Sequence, residues 1–146
     1  MTIVITGLLA GLLDALAALS FFLIRGNSNP AMLFRYIASA VFGQKALKGG
    51  APMVLLGLLF HFMIALAWVG LYFLIYPLIA PLGTGSLVNA AVYGLLIWSI
   101  MNFIVLPLSR IIRRSDPPYA IVIQILILVV TVGLPCAFTA PAYFQR

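Results

Sequence analysis

Six polar side chains stand inside long apolar stretches of this chain: Asp14, His61, Asn89, Ser99, Asn102 and Gln124. Asn89, Ser99, Asn102 and Gln124 can give and take hydrogen bonds but carry no charge. Asp14 and His61 can also bind or release a proton. The chain holds a single histidine and two acids, Asp14 and Asp116. One carboxyl and one imidazole can relay a proton or fasten two helices together. They do not make a nucleophile pair. There is no HExxH, CxxC, Walker loop or GxSxG pattern, and one His with one Asp is too few for a protein metal site. Two histidines on a haem are impossible within one chain. The sequence therefore leans away from an enzyme, and no cofactor is expected.

Composition sets what must position these groups. Of 146 residues, 65% are hydrophobic and 7% charged. Soluble domains carry about 25% charged residues. So few charges cannot cover a surface facing water, which predicts an integral membrane protein of one domain. The sequence predicts an all-α fold with four spans, about residues 2–24, 53–79, 86–108 and 118–140. Each approaches or exceeds the ~20 residues a bilayer needs. Ala15-Leu16-Ala17 has the form of a signal-cleavage site, yet no Lys or Arg precedes the apolar run and Asp14 interrupts it. The segment is expected to be a retained span. Cys136, the lone cysteine, rules out an internal disulfide and reads as a small packing residue.

Between the first two spans, Asn29 is a good N-cap and Pro30 suits a first helical position. The apolar run that follows is too short to cross and carries Arg35. Lys45, Lys48 and Gly49-Gly50 close it. This predicts a short interfacial helix, about residues 30–48, with basic groups toward headgroups. The turn at residues 80–85 is short and uncharged. The turn at residues 110–118 is strongly basic.

The first and third connections hold Arg25, Arg35, Lys45, Lys48, Arg110, Arg113 and Arg114, while the other side holds Arg146. Seven cations against one predict that those connections are cytoplasmic and touch anionic headgroups, with both termini outside. The net charge of +6 is explained this way, without a nucleic-acid partner. Tyr36 and Tyr119 on the inner side, with Tyr76 and Tyr143 on the outer, fit interfacial belts.

Depth follows from the threading at ~1.5 Å per residue. Asp14 lies ~16 Å from the cytoplasmic boundary, His61 and Ser99 ~14 Å, Asn102 and Gln124 ~9 Å. Asn89 alone belongs to the outer half. An ionised acid at mid-span costs about 2.5–3.5 kcal/mol on insertion scales, so Asp14 should face inward and meet a partner. His61 is the expected partner, directly or through one water. Gly7, Gly11, Asp14 and Ala18 form one helical stripe, and Gly57, His61, Ala65 and Trp68 another. Small residues let backbones approach, so the two stripes are expected to meet. Asp14 and His61 could be interhelical glue or a proton site, and both readings stand at this point. Ser99, Asn102 and Gln124 are further candidates for the same polar layer. Pro135, with Gly133, is expected to bend the last span and free a carbonyl near Thr131.

The segments YIASAVFG (Tyr36–Gly43), GLLFHF (Gly57–Phe62) and MNFIVLPLS (Met101–Ser109), after an N-terminal GLLAGLLDA, resemble a family of small uncharacterised bacterial inner-membrane proteins. The resemblance covers most of the chain. It implies a four-span bacterial inner-membrane protein and brings no activity and no functional residue. The favoured expectation is a non-enzymatic membrane component, an oligomer or an accessory subunit of a larger complex. The alternatives are a small proton-linked transporter or channel using Asp14 and His61, and a binder of lipid or quinone.

Overall fold

The structure is a computed structural model and describes residues 1–111 and 116–145. Arg113, Arg114 and Arg146, expected among the headgroup-facing or terminal cations, lie outside the described residues. Four helices are long and apolar enough to cross a membrane: Thr2–Ile24, Ala51–Leu82, Ser86–Leu108 and Pro118–Phe144. They are called the first to fourth long helices below. Their outer surfaces are covered with large apolar side chains, such as Leu59, Leu74, Leu78, Val122 and Phe138, all more than half exposed. Such a surface is stable only against an apolar surrounding.

The first connection carries a helix of its own, Ala31–Phe42, followed by a 3₁₀ stretch, Gly43–Lys48. Asn29 Oδ1 accepts the Ala31 amide at 3.0 Å, one residue earlier than a cap on N2 or N3 would be. Pro30 is thus the capping position and Ala31 the first helical residue. Gly43 ends the helix at φ +66°, a backbone region in which side-chain-bearing residues are strained. The connecting helix lies across the second long helix at Gly57. A Cβ there would stand 1.8 Å from the Phe34 carbonyl oxygen, so only glycine lets the two backbones approach this closely. Its far end is tied to the third long helix, where the Arg110 amide donates to the Ala40 carbonyl at 3.1 Å.

Close approaches of this kind set the bundle. Gly7 packs on Leu66, and Gly11 on Phe62 and Ala65, joining the first and second long helices. Gly94 faces the Val129 backbone at 2.7 Å and Gly133 faces the Ala90 carbonyl at 2.5 Å, each distance measured to an added Cβ; these join the third and fourth. The first and fourth also pack together, and Thr6 shares a 3.4 Å hydroxyl contact with Thr139. The second and third meet through aromatic side chains. Tyr72 and Tyr93 stand 4.7 Å apart edge to face, and the Tyr93 hydroxyl donates to the Trp68 carbonyl.

Two of the long helices are not regular. Met101–Val105 and Val129–Gly133 are π-helical turns, and each is followed directly by Leu-Pro. The amides of Leu106 and Leu134 donate five residues back, to Met101 and Val129. Pro107 and Pro135 have no amide hydrogen, and a proline ring crowds the carbonyl four residues earlier. Widening the turn before the ring relieves that crowding. The expected bend at Pro135 thus takes the form of a π-bulge, and Thr131 sits inside it.

Candidate functional site

Asp14 lies on the first long helix three residues after Gly11. Its Oδ2 stands 4.0 Å from His61 Nε2, with the two side chains 19% and 12% exposed. The separation is too long for a hydrogen bond. His61 Nε2 instead lies 2.9 Å from the Gly11 carbonyl oxygen. A carbonyl only accepts, so His61 Nε2 carries a hydrogen and donates to it. Asp14 Oδ1 is 3.0 Å from the Thr131 hydroxyl, and that hydroxyl is 2.8 Å from the Ile127 carbonyl. Thr131 is buried. Asp14 is therefore held between the second and fourth long helices, by close packing at Gly11 on one side and the π-bulge on the other.

Asp14 and His61 line a cavity of about 430 Å³. The second and third long helices both line it, through Ile64 and Ile97 among others. Apolar side chains line nearly all of it, among them Ile64, Ile97, Val105 and Val132, with the aromatic groups of Tyr36, Phe60 and Trp68. The connecting helix closes one side through Tyr36, Ile37, Ala40 and Val41. Asp14 and His61 are the groups on the wall that can carry charge near neutral pH, among the described residues.

The other polar residues singled out in the sequence do not join this site. Ser99 Oγ donates to Leu95 O at 2.8 Å and Asn102 Nδ2 to Trp98 O at 2.9 Å, each back onto its own helix. Asn89 bonds Thr84 across the uncharged turn. Gln124 belongs to a second cluster: its Nε2 donates to Asp116 Oδ2 at 2.9 Å, and its Oε1 accepts Trp98 Nε1 at 3.3 Å. Arg25 Nη1 meets Asp116 Oδ1 at 2.6 Å. Partial burial pushes the Asp116 carboxyl up, but the hydrogen bonds from Arg25 and Gln124 and the guanidinium charge outweigh it. The carboxyl is held below its usual range, and the hydrogen bond to Asp116 raises the Arg25 guanidinium in turn.

Among the remaining residues, Gly57 packs on the connecting helix and not on the first long helix, so it leaves the stripe in which the sequence places it. Ala18 is half-buried, and Ala65 is buried against Gly11. Arg25, expected at headgroups, is engaged by Asp116. Lys45, Lys48 and Arg110 are exposed. Arg35 is half-buried with its Nε buried and unpaired among the described residues. Thr131 is the partner that sequence reasoning misses. Its position four residues before Pro135, where a carbonyl loses its donor, is the signal that could have found it. No three metal-ligating side chains come together among the described residues.

No protein-family model, characterised protein or solved structure matches this chain.

Proposed function

We propose that this chain is a multi-pass membrane protein whose cavity binds an amphiphilic small molecule drawn from the bilayer. The observation that carries this reading is the 430 Å³ cavity, mostly apolar, with Asp14 and His61 on its wall. Small-molecule sites commonly enclose about 300–1,000 Å³, mostly apolar, with a few placed polar groups that fix orientation. The long axis of such a ligand would lie among Ile64, Ile97 and Val105, and its head would reach Asp14. The reading keeps the lipid or quinone alternative of the sequence in broader form. It sets the cavity ahead of an accessory-subunit or proton-channel role, because polar side chains do not line a continuous path.

In this arrangement the four long helices cross the bacterial inner membrane. The connecting helix lies at the cytoplasmic interface, and both termini face outward. Arg35, Lys45, Lys48 and Arg110 remain for anionic headgroups. A homo-oligomer or a larger complex is compatible with small size and with apolar surface on every long helix.

Trp68 lines the cavity and Trp98 does not, so a Trp98→Phe variant leaves one tryptophan as reporter. A brominated single-chain amphiphile should quench Trp68 fluorescence saturably. Ala40→Phe, which fills the cavity from the connecting helix, should abolish the saturable component. Quenching that rises linearly with amphiphile and ignores Ala40→Phe would refute the reading.

A further inference from the structure

The hydrogen bonds around Asp14 and His61 restrict what head group fits there. Thr131 owns one hydroxyl hydrogen but has two oxygen neighbours at bonding distance, Asp14 Oδ1 at 3.0 Å and Ile127 O at 2.8 Å. A carboxylic acid at Asp14 would supply the second hydrogen, donating to Thr131 Oγ1 while Thr131 donates to Ile127 O; beside an ionised Asp14 the hydroxyl would share its one hydrogen between the two. His61 has its Nε2 hydrogen engaged on Gly11 O. Among groups that face Asp14, His61 comes from the second long helix and Thr131, which does not titrate, from the fourth. Tyr36 of the connecting helix lines the same cavity.

What remains for a ligand is acceptor capacity. Asp14 Oδ2 has no hydrogen-bond partner among the described residues, its nearest polar neighbour being His61 Nε2 at 4.0 Å. The imidazole hydrogen is already engaged. A quinone or a carboxylate offers acceptors and would meet no free donor. An ammonium head offers N–H donors and a positive charge, and it suits a carboxylate on the wall of a cavity that Tyr36, Phe60 and Trp68 also line.

We infer that the cavity takes a single-chain amphiphile with a protonated amine head, and that the amine displaces the Asp14 proton. The inference rests on reading the cavity as a ligand site. The exchange is balanced: an alkylammonium enters, Asp14 loses its proton to bulk water, and Asp14 Oδ2 accepts N–H bonds from the ammonium. The Thr131 hydroxyl then turns from Ile127 O to donate to the ionised Asp14 Oδ1. No net charge is added to the apolar interior by this exchange, which avoids the penalty of burying an unpaired ion.

The test compares dodecylammonium with chain-matched dodecanol and dodecanoate on the Trp98→Phe protein in mild detergent, with Trp68 quenching relief of the brominated amphiphile as readout. Dodecylammonium should compete at least about tenfold better than either neutral or anionic probe, the margin of one charge-assisted hydrogen bond. Its affinity should rise with pH, by up to about tenfold per unit where one proton leaves on binding. A pH electrode in unbuffered solution should register one proton released per amine bound by the protein, a measurement that needs no variant. Asp14→Asn should bring the amine down to the dodecanol level and flatten the pH slope. If dodecanol or dodecanoate competes as well as the amine, or no proton is released, the amine assignment falls while the cavity remains a ligand site. If none of the three competes, the ligand-site reading falls with it.

Discussion

The two acids of this chain are held in opposite ways. Asp116 stands at the start of the fourth long helix, 32% exposed, with a guanidinium at 2.6 Å and an amide at 2.9 Å. Both of its oxygens are engaged. Asp14 is in the middle of the first long helix, less exposed, with a hydroxyl on one oxygen and, among the described residues, no hydrogen-bond partner on the other. A fully engaged carboxylate at a helix end ties elements together. A buried carboxyl with a spare oxygen on a cavity wall holds capacity in reserve. The first arrangement is a joint between the first, third and fourth long helices, through Arg25, Gln124 and Trp98. The second is the candidate site.

That contrast can be broken at the cavity floor, where the largest effect is expected. Gly57→Ala places a methyl 1.8 Å from Phe34 O, and neither backbone can yield without moving the connecting helix. Overpacking of this kind costs about 1–3 kcal/mol, and a backbone neighbour puts it near the top of that range. Thermal unfolding in detergent should show the loss. Amphiphile quenching of Trp68 should fall with it, because Tyr36, Ala40 and Val41 move too. The Arg25–Asp116 joint does not include the connecting helix, so its salt sensitivity should persist. If Gly57→Ala leaves stability and quenching unchanged, the connecting helix is not the floor of a site.

A smaller effect sharpens the same contrast from the fourth long helix. Thr131→Val keeps the shape and removes the hydroxyl, leaving Asp14 Oδ1 without a partner. An orphaned buried polar group costs about 1–3 kcal/mol. Thr131→Ser should recover most of it. Paired with Asp14→Leu, the valine variant should lose most of its penalty, since the orphan is gone. Additive losses in that double-mutant cycle would separate Asp14 from Thr131 and dissolve the hydrogen count on which the amine assignment stands.

How much of this is legible in the sequence differs by level. The four long helices are read from the length of apolar runs, because an apolar run of that length has one stable environment. The fourth helix continues to Phe144, past Ala140 where the sequence stops it. Pro141 is accommodated inside the helix there. The oddity of Asp14 is plain from residue type alone. Which groups surround it is not, because depth in a bundle is readable from residue number but the angle around the bundle is not. Ser99, Asn102 and Gln124 therefore look like members of one layer. Ser99 and Asn102 turn back to the carbonyls four residues earlier, as short polar side chains in helices do. Gln124 is drawn to Asp116, eight residues away and outside the regular periodicity. The backbone contacts at Gly94 and Gly133 are equally hidden, since glycine pairs across helices carry no mark among twelve glycines.

The smallest expected effect lies at Asp116 and completes the comparison from the other side. An ion pair this exposed contributes about 0.2–1 kcal/mol in a double-mutant cycle. Arg25→Gln and Asp116→Asn should give a coupling in that range, shrinking as salt is raised. Its pH dependence has a definite sign. The Asp116 carboxyl is held below its usual range in the folded chain, so the folded state binds its proton more weakly than the unfolded state does. The stabilisation is therefore present above the unfolded carboxyl value of about 3.9, and it is lost as pH falls through the lower folded value. With two side-chain acids in the whole chain, the acid limb of a thermal-unfolding profile is unusually simple to assign. Asp116→Asn should flatten it, and Asp14→Asn should leave it in place while removing the amine-linked proton release. An acid limb that instead follows Asp14 would make the buried acid the structural one, and the assignment of joint and site would have to be exchanged.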